Sequence, residues 1–131
     1  MDSNGNEFDT VVTDGPGFVR ITVRGAFSWT RVDGLLVRIH AESEARCIRA
    51  VLVDATAIPV VLTTTDRYTM GVAASARLDA RVRVALLGAP VTIDGFGELV
   101  ARNRGANVRV FTDEARAVEW LLQSTAPVPP R

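Results

Sequence analysis

The sequence predicts an α/β fold: a mixed, mostly parallel sheet of about five strands covered by about four helices, with an antiparallel hairpin at its N-terminal end. Two early segments alternate apolar and polar residues around a turn, which is typical of a hairpin with one wet face. Later segments are continuous aliphatic runs, typical of strands buried on both faces. Because stretches of helical spacing separate these strands, we expect right-handed crossovers and helices that cover the sheet.

The hairpin opens the predicted domain. Its first strand is expected at residues 7–12, turn formers occupy residues 13–17, and the second strand is expected at residues 18–25. In the second strand apolar and polar residues alternate, so one face points to the core and the other to water. The inward-facing residues are Val19, Ile21 and Val23.

The first helix is predicted from apolar residues at the spacing i, i+3, i+4 and i+7. Thr30 is the expected N-cap, and Asp33 is expected in the first turn, where a negative charge suits the helix dipole. Cys47, just before a buried strand at residues 49–55, is interpreted as a small core residue. The apolar stripe of the helix comprises Val32, Leu35, Leu36 and Ile39.

The second half of the chain repeats the alternation of helix and strand. A helix is expected at roughly residues 66–78 and a buried strand at residues 81–88. A short helix within residues 92–105 is expected to turn Phe96, Leu99 and Val100 inward. Gly105 is its expected left-handed terminator.

The last two elements are a strand and a helix. The strand is expected at residues 107–111, and Thr112 is the expected cap of the final helix. The core-facing residues of that helix are expected to be Val118, Leu121 and Leu122.

The composition suits one soluble globular domain, with 47% hydrophobic and 23% charged residues in 131. We expect a flexible leader at residues 1–6, one domain at residues 7–123 and a Pro-rich tail at residues 124–131. The sequence shows neither an apolar run long enough for a membrane span nor a secretory signal, so a cytoplasmic location is expected. All fifteen basic residues are arginine and balance fifteen acids, which gives no case for binding nucleic acid.

The chemistry-bearing residues do not predict an enzyme, a cofactor or a metal site. His40 is the single histidine and Cys47 the single cysteine, so clusters of either residue are not possible. Gly95 and Gly97 form a Gly-x-Gly without the third glycine of a dinucleotide site. Arg102, Arg104 and Arg109 are interpreted as a solvated face rather than an anion patch.

One segment, residues 54–71, stands out as a candidate contact region. Asp54 ends a buried strand, and the loop after it contains apolar residues at the edge where open α/β sheets place their ligand crevices. Three consecutive threonines follow. Thr64 or Thr65 is expected to cap the second helix, with Asp66 in its first turn. The apolar loop residues are Ile58, Val60 and Val61.

The element order, together with the segments "VLVDATAI", "TTTDRYTMG" and "NRGANVRVFTDEARAVEWL", resembles the STAS domain superfamily over roughly residues 7–123. The resembling branch is the STAS/SEC14-like group of bacterial proteins similar to the sporulation anti-sigma-factor antagonist. In the antagonists a serine of an Asp-Ser-Ser-Gly turn begins the second helix and is phosphorylated by a partner kinase. Thr63 and Thr64 lie near those serine positions, but Leu62 replaces the acid and no glycine follows.

The sequence is compatible with three functions. The first is a non-enzymatic STAS-like interaction module that contacts a protein partner, or a second copy in a homodimer. The second is a carrier of a small molecule or lipid-like ligand, which the SEC14-like part of the resemblance implies. The third is a switch phosphorylated at Thr63 or Thr64. The candidate contact residues for partner or ligand are Asp54, Ile58, Val60, Val61, Tyr68 and Met70.

Overall fold

The computed structural model describes residues 7–58, 63–88 and 96–123, without the side chains of residues 96–98 and 101. The element order β-β-α-β-α-β-α-β-α is the predicted one. The predictions for residues 1–6, 59–62, 89–95 and 124–131 lie outside the described residues. The elements are β1 (Asp9–Asp14), β2 (Val19–Arg24), α1 (Trp29–Arg46), β3 (Ala50–Asp54), α2 (Thr64–Arg77), β4 (Arg83–Leu87), α3 (Phe96–Asn103), β5 (Val108–Phe111) and α4 (Glu114–Leu122).

The five strands form one sheet in the order β1-β2-β3-β4-β5. Strand β1 pairs antiparallel with β2, and every later pair is parallel. The register places Ile21 beside Val53, and Asp54 between Thr22 and Leu87. This mixed sheet confirms the predicted fold class.

Two apolar clusters lie on opposite faces of the sheet because successive residues of a strand point to opposite sides. The larger cluster joins β2, β3 and β4 to α1 and α2, with Ile21 and Val51 among its fully buried members. The smaller cluster lies under α4, where Leu52 and Ala85 meet Ala117. The inward set predicted for β2 is confirmed, since Val19, Ile21 and Val23 are at most 1% exposed.

Helix α1 has the predicted apolar stripe but starts earlier than predicted. Its N-cap is Ser28, whose hydroxyl accepts a hydrogen bond from the Arg31 backbone N–H at 3.1 Å. The Thr30 prediction is therefore wrong, because two hydroxyl residues lie close together and Ser28 takes the extended backbone that a cap requires. Asp33 lies beyond the first turn and pairs with Arg77 at 2.9 Å.

The prediction for Cys47 is also wrong. The residue is exposed and ends α1 with a left-handed backbone, φ 55°. This conformation lets the N–H groups of Cys47 and Ile48 reach the carbonyls of Glu44 and Ser43, both at 3.2 Å. Glycine usually occupies the left-handed position that closes a helix in this way, and here the Cys47 side chain is exposed.

The ends of the chain's later helices differ from the predictions in three places. Leu99 is 52% exposed and Leu122 is 42% exposed. Leu122 is rotated about 100° around α4 from Leu121, which is the residue that packs inward. The cap of α4 is Asp113 rather than Thr112, with its carboxylate accepting from the Ala115 N–H at 3.0 Å. Gly105 follows α3 with φ 101°, which confirms it as the positive-φ terminator.

In the described part of the chain, no helix has the length and apolarity needed to cross a membrane.

Candidate functional site

Asp54 lies where β3 ends, at the centre of a charged cluster that joins three elements. Its Oδ2 accepts a hydrogen bond from Arg20 Nη2 of β2 at 2.7 Å. Its Oδ1 accepts from the hydroxyl of Thr56 at 2.7 Å and from the Thr56 N–H at 3.1 Å. Arg20 also donates to Glu114 at the start of α4, with Nη1 2.8 Å from Oε2. The cluster thus ties β2, β3 and α4 together.

The electrostatics of this cluster favour an ionised Asp54. Partial burial alone would raise the pKa of its carboxyl group. The hydrogen bonds from Thr56 and the charge and hydrogen bond of Arg20 outweigh that effect, so the pKa lies below its ordinary value of 3.8. The Asp54 side chain is only 15% exposed, so its carboxylate is engaged within the chain rather than presented on the surface.

The apolar loop after β3 is described only at its beginning. Ile58 is buried among the residues of the larger core cluster, and its N–H donates to the Ala55 carbonyl at 3.1 Å. Val60 and Val61 lie outside the described residues. Of the two interpretations of this loop, a rim for a ligand or a cover for the end of the core, the position of Ile58 favours the cover.

Thr63 is the N-cap of α2, so the expectation that Thr64 or Thr65 caps the helix is wrong. The Thr63 hydroxyl accepts from the Asp66 N–H at 3.0 Å, and the Asp66 carboxylate accepts from the Thr63 N–H at 3.1 Å. This reciprocal capping box satisfies two backbone donors at once. A carboxylate three residues after a hydroxyl is its sequence signature, and Thr63-x-x-Asp66 carries it. Asp66 is in the first turn, as predicted.

The first half of α2 (residues 64–70) is more exposed to solvent than the second half. Between residues 64 and 70, all of which are described, no side chain is buried, and the first buried residue is Gly71. Thr63 and Thr64 are exposed. Met70 is partly buried against the larger core cluster, whereas Tyr68 is 46% exposed. Of the candidate contact residues, Tyr68 is the one whose side chain is most clearly available to a partner.

Tyr68 has a single described side-chain partner, Arg104, which follows α3. The Arg104 guanidinium lies 5.9 Å from the centre of the Tyr68 ring, and its Nη2 donates to the phenolic oxygen at 3.1 Å. The fold separates the three arginines interpreted from the sequence as one solvated face. Arg102 lies on α3 and Arg104 directly follows it, whereas Arg109 lies on a strand. Arg109 lies on β5, with its guanidinium 6.0 Å from the Phe111 ring and 5.9 Å from the Trp120 ring.

Sequence reasoning missed both arginine contacts, Arg20 with Asp54 and Arg104 with Tyr68. Arg20 and Asp54 are separated by 34 residues, and Arg104 and Tyr68 by 36. The parallel register of β2 and β3 brings Arg20 to Asp54, and the packing of α3 beside α2 brings Arg104 to Tyr68. Neither pair can be recognised from the residues next to it in sequence. Within the described ranges, no three His, Cys, Asp or Glu side chains group as a metal site.

The comparisons with known proteins support the fold. The chain matches no protein-family model, and no curated protein matches it. Among solved structures it resembles an anti-sigma factor antagonist from Mycobacterium paratuberculosis, with 15% identity, a TM-score of 0.61, and coverage of 92% of this chain and 98% of that one. It also matches, at a TM-score of 0.45 and 18% identity, an uncharacterized protein with a SpoIIAA-like fold from Shewanella loihica PV-4, covering 92% of this chain and 98% of that one.

These findings define the class of fold. The five-stranded mixed sheet with its N-terminal antiparallel pair is matched over nearly the whole chain by the anti-sigma factor antagonist, so the two chains share one α/β fold. The resemblance read from the sequence is confirmed at the level of fold.

Proposed function

We propose that this chain is a non-enzymatic regulatory interaction module that binds a protein partner through residues 54–71. The observation that carries the proposal is the STAS-type fold shared with an anti-sigma factor antagonist over 92% of the chain. That protein, by its name, acts on another protein. A comparable role for this chain needs a surface that a partner can reach.

The first half of α2 supplies that surface. A helix segment without a buried side chain contributes little to the core, yet a capping box holds its start in place. The segment therefore presents Thr64 and Tyr68 on a preorganised helix, one turn apart on the same face. Preorganised surfaces lose less conformational entropy on binding.

An affinity capture from the native host, with the chain as bait, tests this proposal. We compare wild type with Thr64→Glu, which places a negative charge on the exposed first turn of α2. Thr13→Glu is the matched control, because Thr13 is also exposed but lies on β1. The expected result is one protein captured by wild type and Thr13→Glu and lost with Thr64→Glu. The proposal is wrong if no protein is captured by both wild type and Thr13→Glu.

Native mass spectrometry of the purified chain separates the alternatives. An interaction module gives the mass of the bare chain or of a dimer. A retained molecule of a few hundred daltons would instead support the carrier of a small or lipid-like ligand. A phosphorylated peptide containing Thr63 or Thr64 would support the switch, and Thr64 is the acceptor we expect since the Thr63 hydroxyl is engaged in the capping box.

A further inference from the structure

The pairing of Tyr68 with Arg104 creates a small aromatic and cationic surface between α2 and the end of α3. Tyr68 is 46% exposed and Arg104 is exposed. The guanidinium lies over the ring and also hydrogen-bonds its hydroxyl, so the two side chains hold each other in one orientation. Such a pair offers part of an aromatic ring beside an exposed guanidinium.

The charge at this surface is not neutralised by nearby described carboxylates. Among the side chains that the structure describes, Arg104 contacts Tyr68 but no acid, and Arg102 makes no ion pair. Asp66, the acid in the first turn of α2, is occupied by the capping box. Five other arginines, Arg20, Arg38, Arg46, Arg77 and Arg81, each pair with a carboxylate, whereas Arg83, like Arg104, lies over an aromatic ring.

We propose that the partner of this module presents an acidic segment to the Tyr68–Arg104 surface. This inference rests on the proposed function and adds the chemistry of the partner. A carboxylate of the partner receives two N–H donors from the Arg104 guanidinium, which its planar shape allows, while an apolar group packs on the Tyr68 ring. Tyrosine and arginine, with tryptophan, are the residue types enriched among the residues that dominate binding energy at interfaces.

A titration with a short polyglutamate peptide at low ionic strength tests the surface without a known partner. Backbone NMR shifts of the isotope-labelled chain report where the peptide binds. We expect the shifts to concentrate at residues 65–69 and 102–105, with binding at least about tenfold weaker in Arg104→Glu. Arg116→Glu is the matched control, because Arg116 is exposed and lies on α4; its binding should equal that of wild type. Added salt should weaken peptide binding both in wild type and in Arg116→Glu.

Two outcomes of the peptide titration overturn the inference. One is a shift pattern spread over arginines around the whole molecule, and the other is equal binding by wild type and Arg104→Glu. The failure of the proposed function is seen separately in the capture experiment. If the captured partner binds Arg104→Glu as tightly as wild type, the module stands but its partner is not recognised through this acidic contact. If the peptide binds at the surface and no partner is captured, the surface stands and the proposed function does not.

Discussion

In the centre of the sheet Ile21, Val51 and Leu52 have no exposed surface, whereas across the first half of α2 no described side chain is buried. The two regions are connected in sequence by residues 55–63, which link β3 to α2. The sheet centre is held by apolar area removed from water. The start of α2 is held by two local hydrogen bonds of a capping box. This difference predicts that substitutions in the first region change stability, and that substitutions in the second change binding.

Leu52→Ala should give the largest effect and tests the sheet centre. Leu52 is fully buried between β3 and α4, so its truncation leaves a cavity beside Ala85 and Ala117. We expect the free energy of unfolding to fall by about 2–5 kcal/mol, measured by urea denaturation. Val11→Ala is the control, because Val11 is 62% exposed, and it should change stability by less than about 0.5 kcal/mol. If the two variants lost similar amounts of unfolding free energy, the burial of Leu52 at the centre of the sheet would be contradicted.

Asp54→Asn tests the junction between the two regions. The substitution keeps the shape of the side chain but removes the charge that Arg20 and Thr56 stabilise, so we expect a loss of about 1–3 kcal/mol at neutral pH. The folded-state pKa of Asp54 is lowered, so its contribution is present above the ordinary value of 3.8 and is lost as the pH falls through the folded-state pKa. The difference from wild type should therefore shrink when unfolding is measured below about pH 4.

Glu42 also contributes to the pH dependence of stability, and it does so equally in wild type and in Asp54→Asn. Hydrogen bonds from Arg38 and Arg46 outweigh the opposing effect of burial and lower the pKa of Glu42 from 4.5. Wild type and Asp54→Asn should both lose this second contribution in acid. If the gap between them stays constant from neutral to acidic pH, the charge of Asp54 does not contribute to stability.

The contrast between the regions also shows what could be predicted from sequence. The alternation of Val19, Ile21 and Val23 and the aliphatic run of β3 predicted the strands correctly, because burial requires a repeating pattern over several residues. The caps at Ser28, Thr63 and Asp113 were each displaced from the predicted residue, because neighbouring hydroxyl and carboxyl residues are almost equivalent in sequence.

The candidate site was predictable only in part. Residues 54–71 were singled out because apolar residues and threonines follow a buried strand, and the exposure of Tyr68 agrees with a contact role. The partners of Asp54 and Tyr68 were not predictable, because Arg20 and Arg104 reach them through tertiary packing. Patterns along the chain report burial, whereas contacts between side chains on different elements depend on register and packing.

Thr63→Ala tests how the start of α2 is held. Removal of the capping hydroxyl should lower the free energy of unfolding by about 1 kcal/mol, and Thr63→Ser should restore most of it. Thr64→Ala is the matched control on the next residue, which has helical backbone and no capping role. Its effect on urea denaturation should be within about 0.5 kcal/mol. Equal losses in the two alanine variants would mean that the capping box does not hold this helix start.

Tyr68→Ala should have the smallest effect on stability and separates the two regions most directly. The substitution removes an exposed ring with one hydrogen bond and one cation–π contact, both to Arg104, so we expect a loss of at most about 1 kcal/mol. Binding of the polyglutamate peptide should nevertheless weaken by at least about tenfold, since the ring orients Arg104. Tyr68→Phe should keep the ring contact and most of the binding. A loss of stability as large as that of Leu52→Ala would show that Tyr68 belongs to the core, and that the first half of α2 is not a separate recognition surface.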